Sequence, residues 1–290
     1  MAAAAPSGKP AQPSEPGERL RIYFLPNLMT AGNLFCGFLA LTKIVEANPS
    51  AGNFTSVIHN ALFLILLACI FDLLDGRVAR MGGRESPFGR EFDSLADIVS
   101  FGVAPAFLVH RIVLKDVFTN HPQFGWFIAS IYLICGAFRL ARFNCLAAMR
   151  GGGGGKEFLG FPIPAAAGLV ASLTLFLFWL EDKGFPDSPL RFLLPGLLIF
   201  LSAMMVSEVK YPSFKSLDFR AKRSFLKMLI IVLCVGAFVL LWEKILPVAA
   251  PIIFTLYLLY GFVRPYLPRK TLDEIEEEEE DADDERAGAD

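Results

Sequence analysis

Four aspartates that lie between two long apolar runs are the residues of this chain best suited to chemistry. Asp72 and Asp75 are three positions apart, and Asp93 and Asp97 are four positions apart, so on two helices each pair would share one face. Carboxylates beside lipid are costly and by default mark a functional site. Two such helices facing each other would gather four carboxylates, a set that suits a hard divalent cation such as Mg²⁺ or Mn²⁺.

Small and hydrogen-bond-donating residues surround these aspartates in the segment DLLDGRVARMGGRESPFGREFDSLAD. Gly76 and Ala79 lie one turn apart directly after Asp75, where small side chains let a ligand approach the helix closely. Arg80 offers a forked donor for a phosphate, and Ser86 offers a hydroxyl group. Carboxylate-bound cations stabilise charge on phosphoryl oxygens, and a nearby carboxylate can accept the nucleophile's proton. The combination predicts a nucleotide-diphosphate site that carries out phosphoryl transfer.

A structural role and a transport role for the acids both stay open at this point. The acids could form structural pairs with the arginines of the same segment, which are Arg77, Arg80, Arg84 and Arg90. They could instead line an ion pathway, as buried acids do in cation transporters. A transporter predicts acids spread through the depth of the bilayer, whereas these acids gather at one place and the cluster occurs once.

The composition indicates the kind of scaffold that must position these residues. The chain has 290 residues, of which 54% are hydrophobic and 28 are Phe, and its apolar residues come in membrane-length blocks. We therefore predict an all-α, polytopic integral membrane protein with about eight transmembrane helices. The predicted spans lie near 24–45, 56–75, 92–113, 124–142, 162–180, 188–206, 226–243 and 247–266.

The placement of lysine and arginine predicts how these spans are oriented. If the N-terminus and every even-numbered connection face the cytoplasm, that side holds 21 of the 27 Lys and Arg residues. Both termini and the acidic segment are then cytoplasmic, and we expect the membrane to be a bacterial inner (cell) membrane. Residues 1–270 carry 26 basic and 17 acidic residues, a balance that suits anionic membrane lipids and phosphate-bearing substrates. We expect no nucleic-acid partner.

Three regions follow from composition along the chain. Residues 1–18 are rich in Ala, Pro, Ser and Gly, and we predict that they are disordered. Residues 19–270 form the predicted transmembrane domain. Residues 271–290 form an acidic tail, which carries 12 of the 29 acids from Asp273 onward and is predicted to be a solvated, disordered extension.

The aspartate segment resembles the signature of the CDP-alcohol phosphatidyltransferase family. All eight specified positions are present, and they are Asp72, Asp75, Gly76, Ala79, Arg80, Gly89, Asp93 and Asp97. The resemblance implies a CDP-linked lipid donor, two divalent cations (Mn²⁺ or Mg²⁺) and displacement of CMP by an alcohol. It also implies a homodimer.

The resemblance assigns roles by position. Asp72, Asp75 and Asp93 correspond to metal ligands, and Asp97 corresponds to a ligand of the second metal and the general base. The positions implied to contact the CDP portion are Gly76, Ala79, Arg80, Ser86 and Gly89. The segment LPNLMTAGN resembles the family's nucleotide-facing entry helix, and its polar residues are Asn27, Thr30 and Asn33. Asn27 could equally cap a helix.

Further segments resemble the phosphatidylserine synthase branch of this family, namely SLADIVSFGVAPA, FRLARFN, GFPIPAAAG and MVSEVKYPSFK. They imply CDP-diacylglycerol as donor and L-serine as acceptor. Glycerol 3-phosphate, inositol, inositol phosphate and choline stay open as other acceptors. Arg139 and Arg142, at the predicted cytoplasmic end of the fourth span, are candidates for binding the serine carboxylate or a phosphate, and Asn144 is a weaker candidate. Anchoring of the span by positive charge is the alternative for both arginines.

Overall fold

The computed structural model of this protein describes residues 24–81, 86–149, 157–184, 192–212, 246–261 and 263. These residues contain seven helices and one short pair of strands. The helices are α1 (Phe24–Glu46), α2 (Phe54–Met81), α3 (Pro87–Val117), α4 (Pro122–Met149), α5 (Ile163–Asp182), α6 (Leu193–Val206) and α7 (Leu246–Gly261). The strands are β1 (Glu157–Leu159) and β2 (Lys210–Pro212).

The first five helices are long and apolar enough to cross a membrane, while α6 and α7 are apolar but shorter than 18 residues. This confirms the prediction of a helical, polytopic membrane protein. The short strand pair is the one addition to the predicted all-α fold within the described residues. The predicted span 226–243, the segment 1–18 and the tail 271–290 lie outside the described residues, so they stay predictions.

The helix α3 changes its winding along its length. It is α-helical over Pro87–Asp97 and widens to π-helix over Ile98–Val103 and again over His110–Leu114. Wider turns of this kind are frequent at functional sites. Its first turn is set by Ser86, whose side-chain oxygen accepts a hydrogen bond from the Gly89 N–H at 3.0 Å, as an N-cap residue does. This cap fixes where the helix that carries Asp93 and Asp97 begins.

A glycine–serine contact lets α1 and α3 pack closely. A Cβ atom added at Gly37 would lie 2.6 Å from the Cα of Ser100, so a larger residue cannot occupy position 37 without movement of the backbone. The Ser100 hydroxyl then donates a hydrogen bond to the main-chain carbonyl of Asn33 at 3.0 Å. The contact places the middle of α1 against the first half of α3.

The core beneath this region joins α3, α4 and α5. Phe101, Tyr132 and Ile163 are fully buried, and the Tyr132 hydroxyl donates to the Phe101 carbonyl at 3.1 Å. The side chain of Ile163 lies against Gly136, where an added Cβ would come within 2.5 Å of it. The helices that carry the polar residues are therefore supported by a close-packed apolar layer.

The two strands pair in antiparallel fashion, with Leu159 opposite Lys210 and Glu157 opposite Pro212. Tyr211, at the centre of β2, is fully buried, and its ring lies against Gly261 of α7. Burial raises the pKa of Tyr211 to about 12, so its hydroxyl stays protonated and donates to the Leu258 carbonyl at 3.4 Å. The strand pair thus holds α7 against the bundle.

Candidate active site

Three carboxylates meet where the end of α2 faces the start of α3. Asp72, Asp75 and Asp93 each offer an oxygen, and these three oxygens lie within 4.8 Å of one another. Asp75 is buried, and the Oδ1 atom of Asp93 is buried with no hydrogen-bond partner among the described residues. Negative charges this close repel each other strongly when water is excluded. The oxygen-only donor set and the unpartnered Asp93 oxygen fit a hard divalent cation.

Asp97, the fourth predicted acid, lies one turn beyond Asp93 on α3 and is 5% exposed. It does not belong to the group of three carboxylates whose oxygens lie within 4.8 Å of one another, but it interacts electrostatically with all three. The Nδ2 group of Asn33 donates to its Oδ1 at 3.2 Å. A side-chain amide therefore orients this carboxylate at the edge of the group.

The helix α1 supports a second carboxylate in the same way. The Thr30 hydroxyl lies 3.0 Å from Oδ2 of Asp75 and 3.2 Å from the Pro26 carbonyl, so its single proton is shared between two acceptors. Thr30 and Asn33 are three positions apart and share one face of α1. The sequence predicts that this face contacts the nucleotide, and it gives no sign of the bonds to the acids. The spacing of the two polar residues indicates that they share a face of α1, but it does not identify their partners on α2 and α3.

Three of the residues predicted to bind the nucleotide meet at the start of α3. A Cβ added at Gly89 would lie 3.2 Å from the Ser86 hydroxyl and 3.3 Å from the Asn27 Oδ1 atom. The Nδ2 group of Asn27 is buried without a partner among the described residues. Asn27 lies inside α1, so the alternative that it caps this helix is wrong. Gly89 keeps open a gap that two polar side chains border.

The other predicted nucleotide residues lie on α2. Gly76 follows Asp75 directly in the helix. The backbones of Ala79 and Arg80 continue that helix, but their side chains lie outside the described part of the chain.

The two predicted acceptor arginines have different surroundings. Arg142 donates through Nη1 to the Val206 carbonyl and through Nη2 to the carbonyls of Leu159, Met205 and Ser207, at 2.9 to 3.3 Å. Arg139 is 7% exposed, and its Nε atom is buried without a hydrogen-bond partner among the described residues. Arg139 also interacts electrostatically with Asp97. Arg142 therefore ties α4 to the end of α6 and to β1, while Arg139 brings a positive charge towards the acids.

Asn144, the third predicted acceptor residue, joins α4 to the start of α3. Its Nδ2 group donates to the Ser94 hydroxyl at 3.0 Å, and that hydroxyl donates to the Arg90 carbonyl at 3.1 Å. Its Oδ1 atom is buried with no partner in the described part of the chain. The residue lies beside the helix turn that separates Asp93 from Asp97.

Comparison with known proteins assigns this arrangement to a family. Residues 23–207, which include every residue of the site, match the CDP-alcohol phosphatidyltransferase family. The chain belongs to this family. The family signature accordingly spans two helices of this chain, with its first half at the end of α2 and its second half at the start of α3.

Several relatives within the CDP-alcohol phosphatidyltransferase family match over most of their length. The CDP-diacylglycerol–serine O-phosphatidyltransferase of Helicobacter pylori is 36% identical over 245 residues, which cover 84% of this chain and 91% of that protein. The protein of the same name from Bacillus subtilis is 34% identical over 192 residues, or 66% of this chain and 92% of the relative. The archaetidylserine synthase of Methanothermobacter thermautotrophicus is 35% identical over 190 residues, which cover 65% of this chain and 69% of that protein.

Proposed function

We propose that this chain transfers the phosphatidyl group of CDP-diacylglycerol to L-serine, giving phosphatidylserine and CMP. The observation that carries the proposal is the meeting of Asp72, Asp75 and Asp93 within 4.8 Å on two facing helices of a CDP-alcohol phosphatidyltransferase. The acceptor comes from the relatives, whose names specify serine in a bacterial enzyme that matches 84% of this chain.

The metal requirement of the family fits the donor set of this chain. Asp72, Asp75 and Asp93 would hold the first of two cations, and we assign Asp97 to the second, with Mg²⁺ or Mn²⁺ as the ions. Such cations neutralise charge on the diphosphate oxygens when they are bound. Thr30 and Asn33 keep two of these carboxylates in place through their hydrogen bonds.

The transfer itself exchanges one phosphorus–oxygen bond for another. The hydroxyl oxygen of serine bonds to the phosphorus that carries diacylglycerol, the bond from that phosphorus to the CMP oxygen breaks, and CMP leaves with the electron pair. The serine hydroxyl proton goes to a base, and we assign this role to Asp97, whose Oδ1 is oriented by Asn33. A buried base held in one orientation places the proton acceptor without further rearrangement.

The donor and the acceptor would occupy different sides of the acids. We assign the CDP portion to the start of α1, the end of α2 and the start of α3, through Asn27, Thr30, Gly76, Ala79, Arg80, Ser86 and Gly89. On the acceptor side we favour Arg139 over Arg142 for the serine carboxylate, because the Arg142 guanidinium already bonds to four carbonyls. Asn144 stays a candidate for the serine ammonium group through its unpartnered Oδ1.

The topology is part of the same proposal. Eight spans with both termini inside would put the carboxylates at the cytoplasmic surface of a bacterial inner membrane. Serine could then reach the site from the cytoplasm, and CMP could leave into it, because both are water-soluble. The placement of 21 of the 27 Lys and Arg residues on that side supports this orientation. We also expect the family's homodimer.

An acceptor panel tests the function. Protein purified in detergent with Mg²⁺ or Mn²⁺ and CDP-diacylglycerol should release CMP when serine is added, and not when glycerol 3-phosphate, inositol, inositol phosphate or choline is added. Release with one of those alcohols instead would replace serine as the acceptor. Ion flux in liposomes without CMP release would favour a transporter over a transferase.

Two substitutions of aspartates in α3 form a matched pair for this assay. Asp97→Asn should remove CMP release, whereas Asp116→Asn, an exposed acid at the far end of the same helix, should retain it. Equal loss in both variants would contradict the assignment of the base.

A further inference from the structure

A cavity of about 400 Å³ lies at the end of the bundle opposite the carboxylates. The helix α1 reaches both places, because it contributes Thr30 to the carboxylate site and Ile44 and Val45 to the cavity. At 1.5 Å per residue, Thr30 and Val45 are about 22 Å apart along the helix. The cavity is therefore separate from the proposed reaction, and its chemistry does not depend on that reaction.

Basic side chains form part of the lining of this cavity. They are His110, Arg111 and Lys115 of α3, and no acid is among the described residues of the lining. Arg111 bonds to the Ala47 carbonyl through Nε at 3.1 Å and also through Nη2, which fixes its guanidinium at the end of α1. The exposed Lys115 ammonium group forms no ion pair with any described residue. Arg111 and Lys115 thus bring positive charge to a cavity with no acid among its described lining residues.

The apolar part of the lining continues onto the outer surface of the helices. The ring of His110 stacks on Trp126 with 3.8 Å between ring centroids, and Phe107 meets Trp126 edge-on at 5.4 Å. Val45 is 59% exposed and Trp126 is 46% exposed, so this part of the lining extends to the surface that lipid would cover. The candidate spans of α1 and α3 end here and that of α4 begins here, which places the cavity at the depth of lipid headgroups, where Trp is enriched.

We propose that this cavity binds the phosphate headgroup of an anionic phospholipid. Arg111 and Lys115 would face the phosphate, and an acyl chain would run along Val45 and Trp126. Basic side chains at a membrane surface attract anionic lipids in this way. A free phosphate ion would leave the apolar part of the lining uncovered, so we assign the phosphate group to a lipid rather than to a free ion. In the proposed topology the lipid belongs to the outer leaflet.

Fluorescence of Trp126 gives a direct test, because the chain has three Trp residues. The double variant Trp179→Phe/Trp242→Phe leaves Trp126 as the reporter, and micelles are titrated with phosphatidylglycerol or phosphatidylcholine that carries brominated chains. We expect saturable quenching at a lower mole fraction of the anionic lipid. Adding Lys115→Gln should weaken binding of the anionic lipid about fivefold, which corresponds to about 1 kcal/mol. Where the double variant does not fold, the thermal shift produced by each lipid on the native chain and on Lys115→Gln gives the same comparison.

Lys43→Gln is the matched control. Lys43 lies at the same end of the bundle, pairs with Glu46 at 3.6 Å and does not line the cavity. Its substitution should leave the binding curve unchanged. Equal quenching by the two lipids, an equal shift in Lys43→Gln and Lys115→Gln, or competition by inorganic phosphate at the same concentrations as the lipid would overturn the proposal.

Discussion

Asn33 donates a hydrogen bond from Nδ2 to Oδ1 of Asp97 at 3.2 Å, and this bond joins two residues that are 64 positions apart in the chain. Asn33 is fully buried, and its main-chain carbonyl accepts the Ser100 hydroxyl at 3.0 Å. Its position is therefore fixed by the packing of α1 on α3. The orientation of the proposed base depends on a helix that contributes no carboxylate to the site.

Asn33→Ala should lower kcat and leave the KM for CDP-diacylglycerol nearly unchanged. A hydrogen bond to a charged group contributes about 1.5–3 kcal/mol, so we expect a loss of about 10-fold to 100-fold in kcat. Initial rates of CMP release at varied donor concentration measure both constants. Thr42→Val is the control, because the Thr42 hydroxyl bonds to a carbonyl on an exposed part of the same helix. A change confined to KM would assign Asn33 to the nucleotide instead.

Thr30→Val should raise the cation concentration needed for half-maximal activity, because Asp75 loses the donor that orients Oδ2. We expect an increase of about 10-fold, within the range of losses typical of substitutions in residues that support metal ligands. Titration of activity with Mn²⁺ measures the change. Thr30→Ser keeps the hydroxyl group and should restore the native cation concentration. If it does not, loss of the hydrogen bond to Asp75 is not the cause of the change.

The spacing of the four aspartates predicts that each pair shares a helix face, because spacing along one helix determines which residues are neighbours. The bonds from Thr30 and Asn33 could not be predicted with equal certainty. The bond from Asn33 depends on where α1 crosses α3, and that crossing follows from the contact between Gly37 and Ser100, which are distant in sequence. The bond from Thr30 depends on where α1 packs on α2, the helix that carries Asp75.

The acceptor arginines show the same limit. Arg139 and Arg142 have similar sequence surroundings, but only the fold brings four carbonyls to Arg142. Those carbonyls belong to β1 and to the segment that ends α6 and follows it, and nothing in the local pattern around the arginine indicated them.

Asp97→Asn and Asp72→Asn should fail in different ways. Loss of the base removes turnover but leaves a large part of CDP-diacylglycerol binding, because the substitution changes proton acceptance more than donor affinity. Loss of Asp72 removes one of the three oxygens within 4.8 Å, so cation and donor binding should weaken together. Binding of the donor at varied Mn²⁺, measured beside CMP release, distinguishes the two. Full activity in both variants would contradict the metal site.

Gly37→Ala should destabilise the protein, because the added Cβ would lie 2.6 Å from the Cα of Ser100. Overpacking of this kind costs about 1–3 kcal/mol of unfolding free energy. The unfolding temperature in detergent measures the change. Gly196→Ala is the matched control, since Gly196 is also in an apolar helix but has no atom within 4 Å of an added Cβ among the described residues. An equal shift in the two variants would show that the α1–α3 contact is not the cause.

Arg139→Gln and Arg142→Gln separate substrate binding from scaffold stability. Arg139 is buried with an unpartnered Nε and interacts with Asp97, so its loss should raise the KM for serine about tenfold while the KM for CDP-diacylglycerol changes less. Arg142 holds four carbonyls, so its loss should lower the unfolding temperature, and the protein that stays folded should keep its KM for serine. The reverse pattern would place the serine carboxylate at Arg142.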